Sequence, residues 1–585
     1  GASGNALSSV TVLGASNATF SADVYAADIA IGSGAVSFAK SVTGAITLDA
    51  GTITIASGAN ITGAIDNSGN ASTGAIILSG STTVSGLVGA TNPFSSITAG
   101  AANTTSTFDS AVKATTILSG SGTIIFGDAV TANIHFSADG TVQVAGDLDG
   151  NIDNKTGTNN RGTLDLVGTG TVTGSIGATN SLRSVSAGAT GYSTTFDGAI
   201  NATTVAIGGG SASFAEGITG NVTVNGGSFT LAAGKNISGY IDALAGGSSM
   251  TFYGSSTIGG LVGSTTAFDL ITAGAANSTV TFSSAVKAGT IEVASGTVAF
   301  SDNATGDINF TDDGVVQLAA GKTITGYVDN KTGADGAGTL TFAGASTVTK
   351  AIGVTNALKL ITAAQGGAAA VFGESVAAET INLGSGAVSF GGDITGAVNV
   401  NKAGSVITIA SGTVTGNISN TTGSTNGTIT FSGSSTIDGI VGNGSAFSGV
   451  SVGVTDSTSV FNDVVNATKV SVGAGAVTFN GAVNSTFDLN GGSITLADGA
   501  NLSGGVNSTY GSDNHGSLTL KGSSTIGGDV GSTNTLSSVS ILNTSDSTIN
   551  FDGAFSSKTL TLGANAGAAT FAGAAKINDA VTFTH

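Results

Sequence analysis

Cysteine and tryptophan are absent from this 585-residue chain, proline and methionine occur once each, and only 9% of residues are charged. Without cysteine there are no disulfides and no thiolate metal sites, which suits a protein exported without cross-linking. Only two arginines occur, Arg161 and Arg183, against a net charge of −19. That excludes the basic face nucleic acid requires and disfavours docking on anionic lipid. No apolar run reaches the roughly 18 residues of a membrane helix, so no direct membrane span is expected in this segment. Gly1 is not an initiator methionine, and no charged and then apolar leader precedes Ala2. The expectation is a mature or excised segment.

Glycine is what the chain has in excess, at 94 residues. The mean hydropathy of +0.35 argues against disorder, and the alternation of Val, Ile, Leu and Phe with Thr and Ser reads as strand. The stretch TITFSGSSTIDGIVG (428–442) has relatives at 75–89, 163–177, 249–263, 339–353 and 517–531. Their closing glycines, Gly89, Gly177, Gly263, Gly353, Gly442 and Gly531, lie 88, 86, 90, 89 and 89 residues apart. A near-constant period marks a repeat architecture.

Within each repeat, apolar anchors recur at steps of about 18, 17–19, 21–24 and 30 residues, as in Phe20, Phe38, Ile55, Leu78 and Phe108. Such steps exceed a hairpin and fall short of a strand–helix–strand unit, but they fit one turn of a β-solenoid. The expected fold is all-β: a right-handed parallel β-helix of about six 88-residue repeats, four turns each and about 26 turns in total. The expected bounds are an incomplete N-terminal turn over 1–19, six tandem repeats over 20–550, and a truncated seventh over 551–585. Fourteen anchors from Phe20 to Phe571 are all Phe, which predicts a stacked aromatic core. The longest step, of 30 residues and containing 86–108, reads as a turn carrying a loop outside the wall.

Residues able to carry chemistry are few. Asp66, Asp153, Asp242 and Asp329 share one repeat position, with Ser419 and Asn507 there later. At four turns apart, roughly 19 Å, they cannot share an ion, so corner capping is expected. Asp147, Asp149 and Asp153 in DLDGNID are the metal candidates, with Ca2+ as the ion. The loop departs from a calcium loop at Ile152, where Gly belongs, and at Thr158, where Glu belongs. His135, His515 and His585 are too scattered for a zinc site, and His135 should face outward from a strand. The glycine-rich run 207–213 lacks the Lys and helix of a phosphate loop. Arg161 and Arg183 flank Asp165, but nothing else converges there, and no enzyme activity or organic cofactor is expected. Thr-x-Thr pairs such as Thr52/Thr54 are not kept on every turn, as an ice-binding face requires.

TNGTITFSGSSTIDGIVGNGSAF (425–447) and AGTLTFAGASTVTKAIGVTNALKLITA (337–363) resemble passenger repeats of the rickettsial large surface antigens, the outer membrane proteins A and B, and more broadly autotransporter passengers. The resemblance implies a secreted β-solenoid, displayed on the bacterial cell surface, that contacts host cells or forms a surface layer. Two departures are the lack of a membrane barrel after Phe583 and the scarcity of lysine. The expected function is an extracellular, non-catalytic structural or adhesive rod, whose partners are a host or neighbouring cell surface or copies of itself. The alternative is a self-assembling S-layer, sheath or filament subunit. A polysaccharide-active enzyme or ice-binding protein ranks below both.

Overall fold

The computed structural model describes residues 1–542, 546–564 and 567–584; His585 lies outside them. Strand dominates, and the single helical element among the described residues is a 3-10 turn, Gln365–Gly367. The chain divides into two units, Gly1–Thr290 and Ile291–His585, each built of parallel strands stacked turn upon turn. The all-β solenoid expected from the period is therefore the fold.

Register defines three walls in the first unit. The first wall runs through Ala18, Val36, Ile53, Ile76, Ile97, Ile117, Ile134, Ile152, Ile176, Ile200, Ile218, Ile237, Ile258 and Phe282, each paired in parallel with the next. The second begins Val24, Val42, Ile61, Val84, Phe108, Phe126 and Val144. The third begins Val10, Ile29, Ile46, Ile65, Val88, Val112 and Val130. From Val36 to Phe282 the first-wall side chains are at most 2% exposed, and burying each contributes about 1.5–3 kcal/mol before entropy is subtracted. Eight-residue strands such as Val24–Ile31 and Val112–Ser119 turn from one wall to the next without a loop. They do so at a bulge, between Tyr25 and Asp28 in one and Lys113 and Thr116 in the other, where the extra residue bends the strand.

The expected phenylalanine core is present, in pairs. Phe20/Phe38, Phe108/Phe126 and Phe196/Phe214 stack with ring centroids 5.1, 5.2 and 5.1 Å apart. In the second unit Phe372/Phe390, Phe461/Phe479 and Phe551/Phe571 do the same at 5.0, 4.9 and 4.9 Å. Each stack adds about 0.5–1.5 kcal/mol beyond its burial.

Four turns per repeat does not hold. Residues 86–108, expected as a turn with an external loop, contain the strand Phe94–Ala99, paired with Thr73–Leu78 on one side and Val112–Ser119 on the other. The 30-residue step is one full turn plus one further wall, so each repeat occupies about thirteen wall segments, or four and one-third turns. The motif consequently moves on by one wall per repeat. Phe20/Phe38 lie on the first wall, Phe108/Phe126 on the second and Phe196/Phe214 on the third, and Phe282 returns to the first. In the second unit Phe372, Phe461 and Phe551 likewise stand on three different ladders. The described chain makes about 29 turns, not 26.

The period-marking glycines have a physical reason to be glycine. Gly89, Gly177 and Gly263 adopt φ of 68°, 71° and 65°. A Cβ there would sit 2.4, 2.1 and 2.3 Å from the carbonyl oxygens of Lys113, Asn201 and Lys287 on the next turn. Left-handed backbone and close approach coincide, and only glycine satisfies both.

Candidate functional site

One exposed corner loop occurs per repeat, and the column that begins at Asp66 stands at the base of each. In the first unit Asp66 accepts hydrogen bonds from Thr91 N–H at 2.9 Å and Thr91 Oγ1 at 2.5 Å, 25 residues on. Asp153 does the same with Thr179 at 2.9 and 2.5 Å, and Asp242 accepts from Thr265 N–H at 2.9 Å and Ser264 Oγ at 3.2 Å. In the second unit Asp329 holds Thr355 at 2.9 and 2.7 Å. Asn507 substitutes by accepting from Ser532 N–H and Oγ, both at 2.9 Å. Ser419 keeps only a 3.5 Å contact from Asn443 Nδ2. The capping role expected for this column is what the geometry displays, each clamp joining one turn to the next.

At Asn67, Asn154, Asn330 and Asn420 the residue after the clamp position organises the loop. Asn330 is fully buried; its Nδ2 donates to Ala334 and Ala357 carbonyls at 2.8 and 2.9 Å, and its Oδ1 accepts from Thr332 N–H and Oγ1 at 3.0 and 2.7 Å. Asn154 and Asn420 repeat this pattern. In the last of these loops, 508–516, the equivalent residue is Ser508, and its buried Oγ has no hydrogen-bond partner.

The metal candidates are placed separately. Asp147 caps Thr171 N–H at 2.8 Å, Asp149 accepts from Thr173 Oγ1 at 2.8 Å, and Asp153 adds an ion pair with Lys155 at 2.5 Å to its Thr179 clamp. Among the described residues no three His, Cys, Asp or Glu side chains converge to hold a metal. Burial pushes the Asp153 carboxyl up, but hydrogen bonds from Lys155 and Thr179 outweigh it and hold it below the usual carboxylate range. His135 faces outward beside Asp153. Burial and the Lys155 ammonium push its imidazole down, partly offset by Asp153.

Arg161 and Arg183 do converge, but on Asp139 and not on Asp165. Asp165 is held instead by Gln143 Nε2 at 3.1 Å and Ser186 Oγ at 2.6 Å. Sequence reading misses Asp139 because its partners lie 22 and 44 residues away; spacings of one and two turns are the available signal.

Beside the corner loops run shallow outer grooves. In the second unit an open groove of about 370 Å³ crosses the row Thr430, Ser451, Ser471 and Asp488, one residue per turn. Lys469 pairs with Asp488 in its floor. The side chains of Ser451, Ser471 and Asn490 make no hydrogen bond among the described residues. In the neighbouring corner loop Tyr510, 51% exposed, stacks on His515 with centroids 3.8 Å apart and planes 24° from parallel. The equivalent groove of the first unit crosses Asp165, Ser186, Ala206 and Thr223. There the Ser186 hydroxyl is already engaged by Asp165, and an exposed Leu244 stands where Thr509 lines the groove of the second unit. The sequence offers no mark of Tyr510, because one tyrosine in a polar loop has no periodicity.

Over 360 residues the chain is 32% identical to Outer membrane protein A of Rickettsia rickettsii. The match takes in 59% of this chain and 14% of the length of that protein. No family model matches the chain, and no solved structure matches it. No helix among the described residues is long and apolar enough to cross a membrane.

Proposed function

We propose that this chain is the surface-displayed solenoid portion of a bacterial outer-membrane protein, acting as a non-catalytic structural and adhesive element. The observation that carries the reading is the 32% identity to an outer membrane protein. The arrangement of the corner loops supports it. In the first unit the loop follows Ile65–Asn67 on the third wall, Ile152–Asn154 on the first and Ile241–Ala245 on the second. Successive loops therefore occupy different edges, roughly 21 Å apart along the unit at about 4.8 Å per turn. A surface contacting such a unit meets loops whichever side it approaches, which suits adhesion to a host or neighbouring cell.

The test is antibody labelling and protease shaving of intact cells expressing the full-length parent protein. Antibodies raised against residues 154–162 should label unlysed cells, and brief protease treatment should remove the signal. Labelling that appears only after lysis overturns surface display. Concentration-dependent assembly of the purified chain in sedimentation would instead favour partners that are copies of itself.

A further inference from the structure

Five asparagines of the chain are followed directly by glycine: Asn225, Asn426, Asn443, Asn480 and Asn490. In an unfolded chain all five are open to the same internal reaction, because glycine puts no side chain in the way of its own backbone nitrogen. We propose that the fold protects four of them and leaves Asn490, in the outer groove of the second unit, as a self-modifying site that turns from amide to carboxylate with age.

The reaction needs a free side-chain amide, a free glycine N–H and a backbone able to bring the two together. At Asn225 the N–H is taken, since Gly226 donates to Ser248 Oγ at 3.1 Å. Asn426 is held twice, its Nδ2 donating to Ser424 Oγ at 2.5 Å and its carbonyl accepting from Asn420 Nδ2 at 3.3 Å. Asn443 and Gly444 lie in the strand Val441–Gly444, paired with Ser419 and Asn420, and an extended, paired backbone keeps the glycine nitrogen turned away from the side chain. Asn480 donates from Nδ2 to Asn462 Oδ1 at 2.7 Å. Asn490 differs from all four. It is exposed and stands at the corner between the strands Val483–Leu489 and Ser493–Leu496. Among the described residues neither its side chain nor the Gly491 N–H makes a hydrogen bond.

The step needs nothing but water. The Gly491 nitrogen attacks Cγ of Asn490, a C–N bond forms, and Nδ2 leaves as ammonia with the proton the backbone amide gives up. Water then opens the cyclic imide at either carbonyl, its hydroxyl going to carbon and its proton to nitrogen, which leaves aspartate or isoaspartate. Lys469 and Asp488 neutralise one another in the same groove, so the new carboxylate makes that groove negative.

The test is independent of surface display. The purified full chain is incubated in mildly alkaline buffer and followed by peptide mapping with mass spectrometry and isoaspartate labelling. Asn490 should convert about tenfold faster than Asn225 or Asn480, each of which must first break a hydrogen bond. In urea the five should convert at similar rates. Isoelectric focusing should show an acidic species that Asn490→Gln largely removes, with circular dichroism checking that the variant folds. Conversion at Asn490 no faster than at Asn225 or Asn480, a lead that persists in urea, or an acidic species undiminished in Asn490→Gln each overturns the proposal.

Discussion

The corners after Asp329 and after Asn507 occupy equivalent points of their repeats in the second unit, yet they are finished differently. At the first, a carboxylate clamps Thr355, Lys331 covers the carboxylate, and buried Asn330 closes the loop with four hydrogen bonds. At the second, Asn507 keeps the clamp to Ser532, while Ser508 lacks the closing contacts and Tyr510 and His515 stack across the loop instead. The clamp between turns is the shared structural part; the loop beyond it is free to change. Loops can diverge because the buried ladders, not the loops, supply most of the stability.

Substitutions at the shared glycines should have the largest effect and should not distinguish the corners. Gly353→Ala and Gly531→Ala each place a Cβ about 2.3 and 2.2 Å from the carbonyls of Ala377 and Ser556, at φ of 70° and 65°. Each should cost about 3 kcal/mol, read by native-state hydrogen exchange in the flanking turns, since a repeat array need not melt as one unit. A marked difference between the two would break the claim that this part is common.

Next, Asn330→Ala should cost about 2–3 kcal/mol by stranding buried carbonyls, whereas Ser508→Ala should be neutral or slightly stabilising. Equal losses would remove the distinction between an anchored and an unanchored loop. The two corners should also part in acid. Burial raises the Asp329 carboxyl, but hydrogen bonds from Lys331 and Thr355 hold it below its ordinary value. A depressed folded value means the stabilisation is fully present above the unfolded pKa of about 3.9 and is lost as pH falls from there through the lower folded value. Exchange protection around Thr355 should therefore fall below about pH 4, and the Asp329→Asn variant should lack that step, as the Asn507 corner does. Smallest of all, Lys331→Met should change local stability by no more than about 1 kcal/mol, because the ammonium is half exposed.

Much of the fold is legible in the sequence because burial imposes a strict rule on inward residues: Ile117, Ile134 and Ile152 must each cover the last. The fraction of a turn in each repeat is not legible. Phe94–Ala99 reads FSSITA, a strand pattern, but the preceding Pro93 and glycine-rich flanks look like a loop. Spacing between like anchors cannot tell an excursion from one extra wall. The aspartate clamps follow from their repeat position, while the Asp139 pairing and the Tyr510 stack rest on contacts that no local motif announces.

The thirteen-segment repeat also bears on how such a gene changes length. Unequal recombination between copies adds or removes a whole number of walls, never needing a whole number of turns. Each surviving segment then finds the same kind of neighbour above and below it, on whichever side it lands. Expansion and contraction of the gene are thereby decoupled from the pitch of the protein.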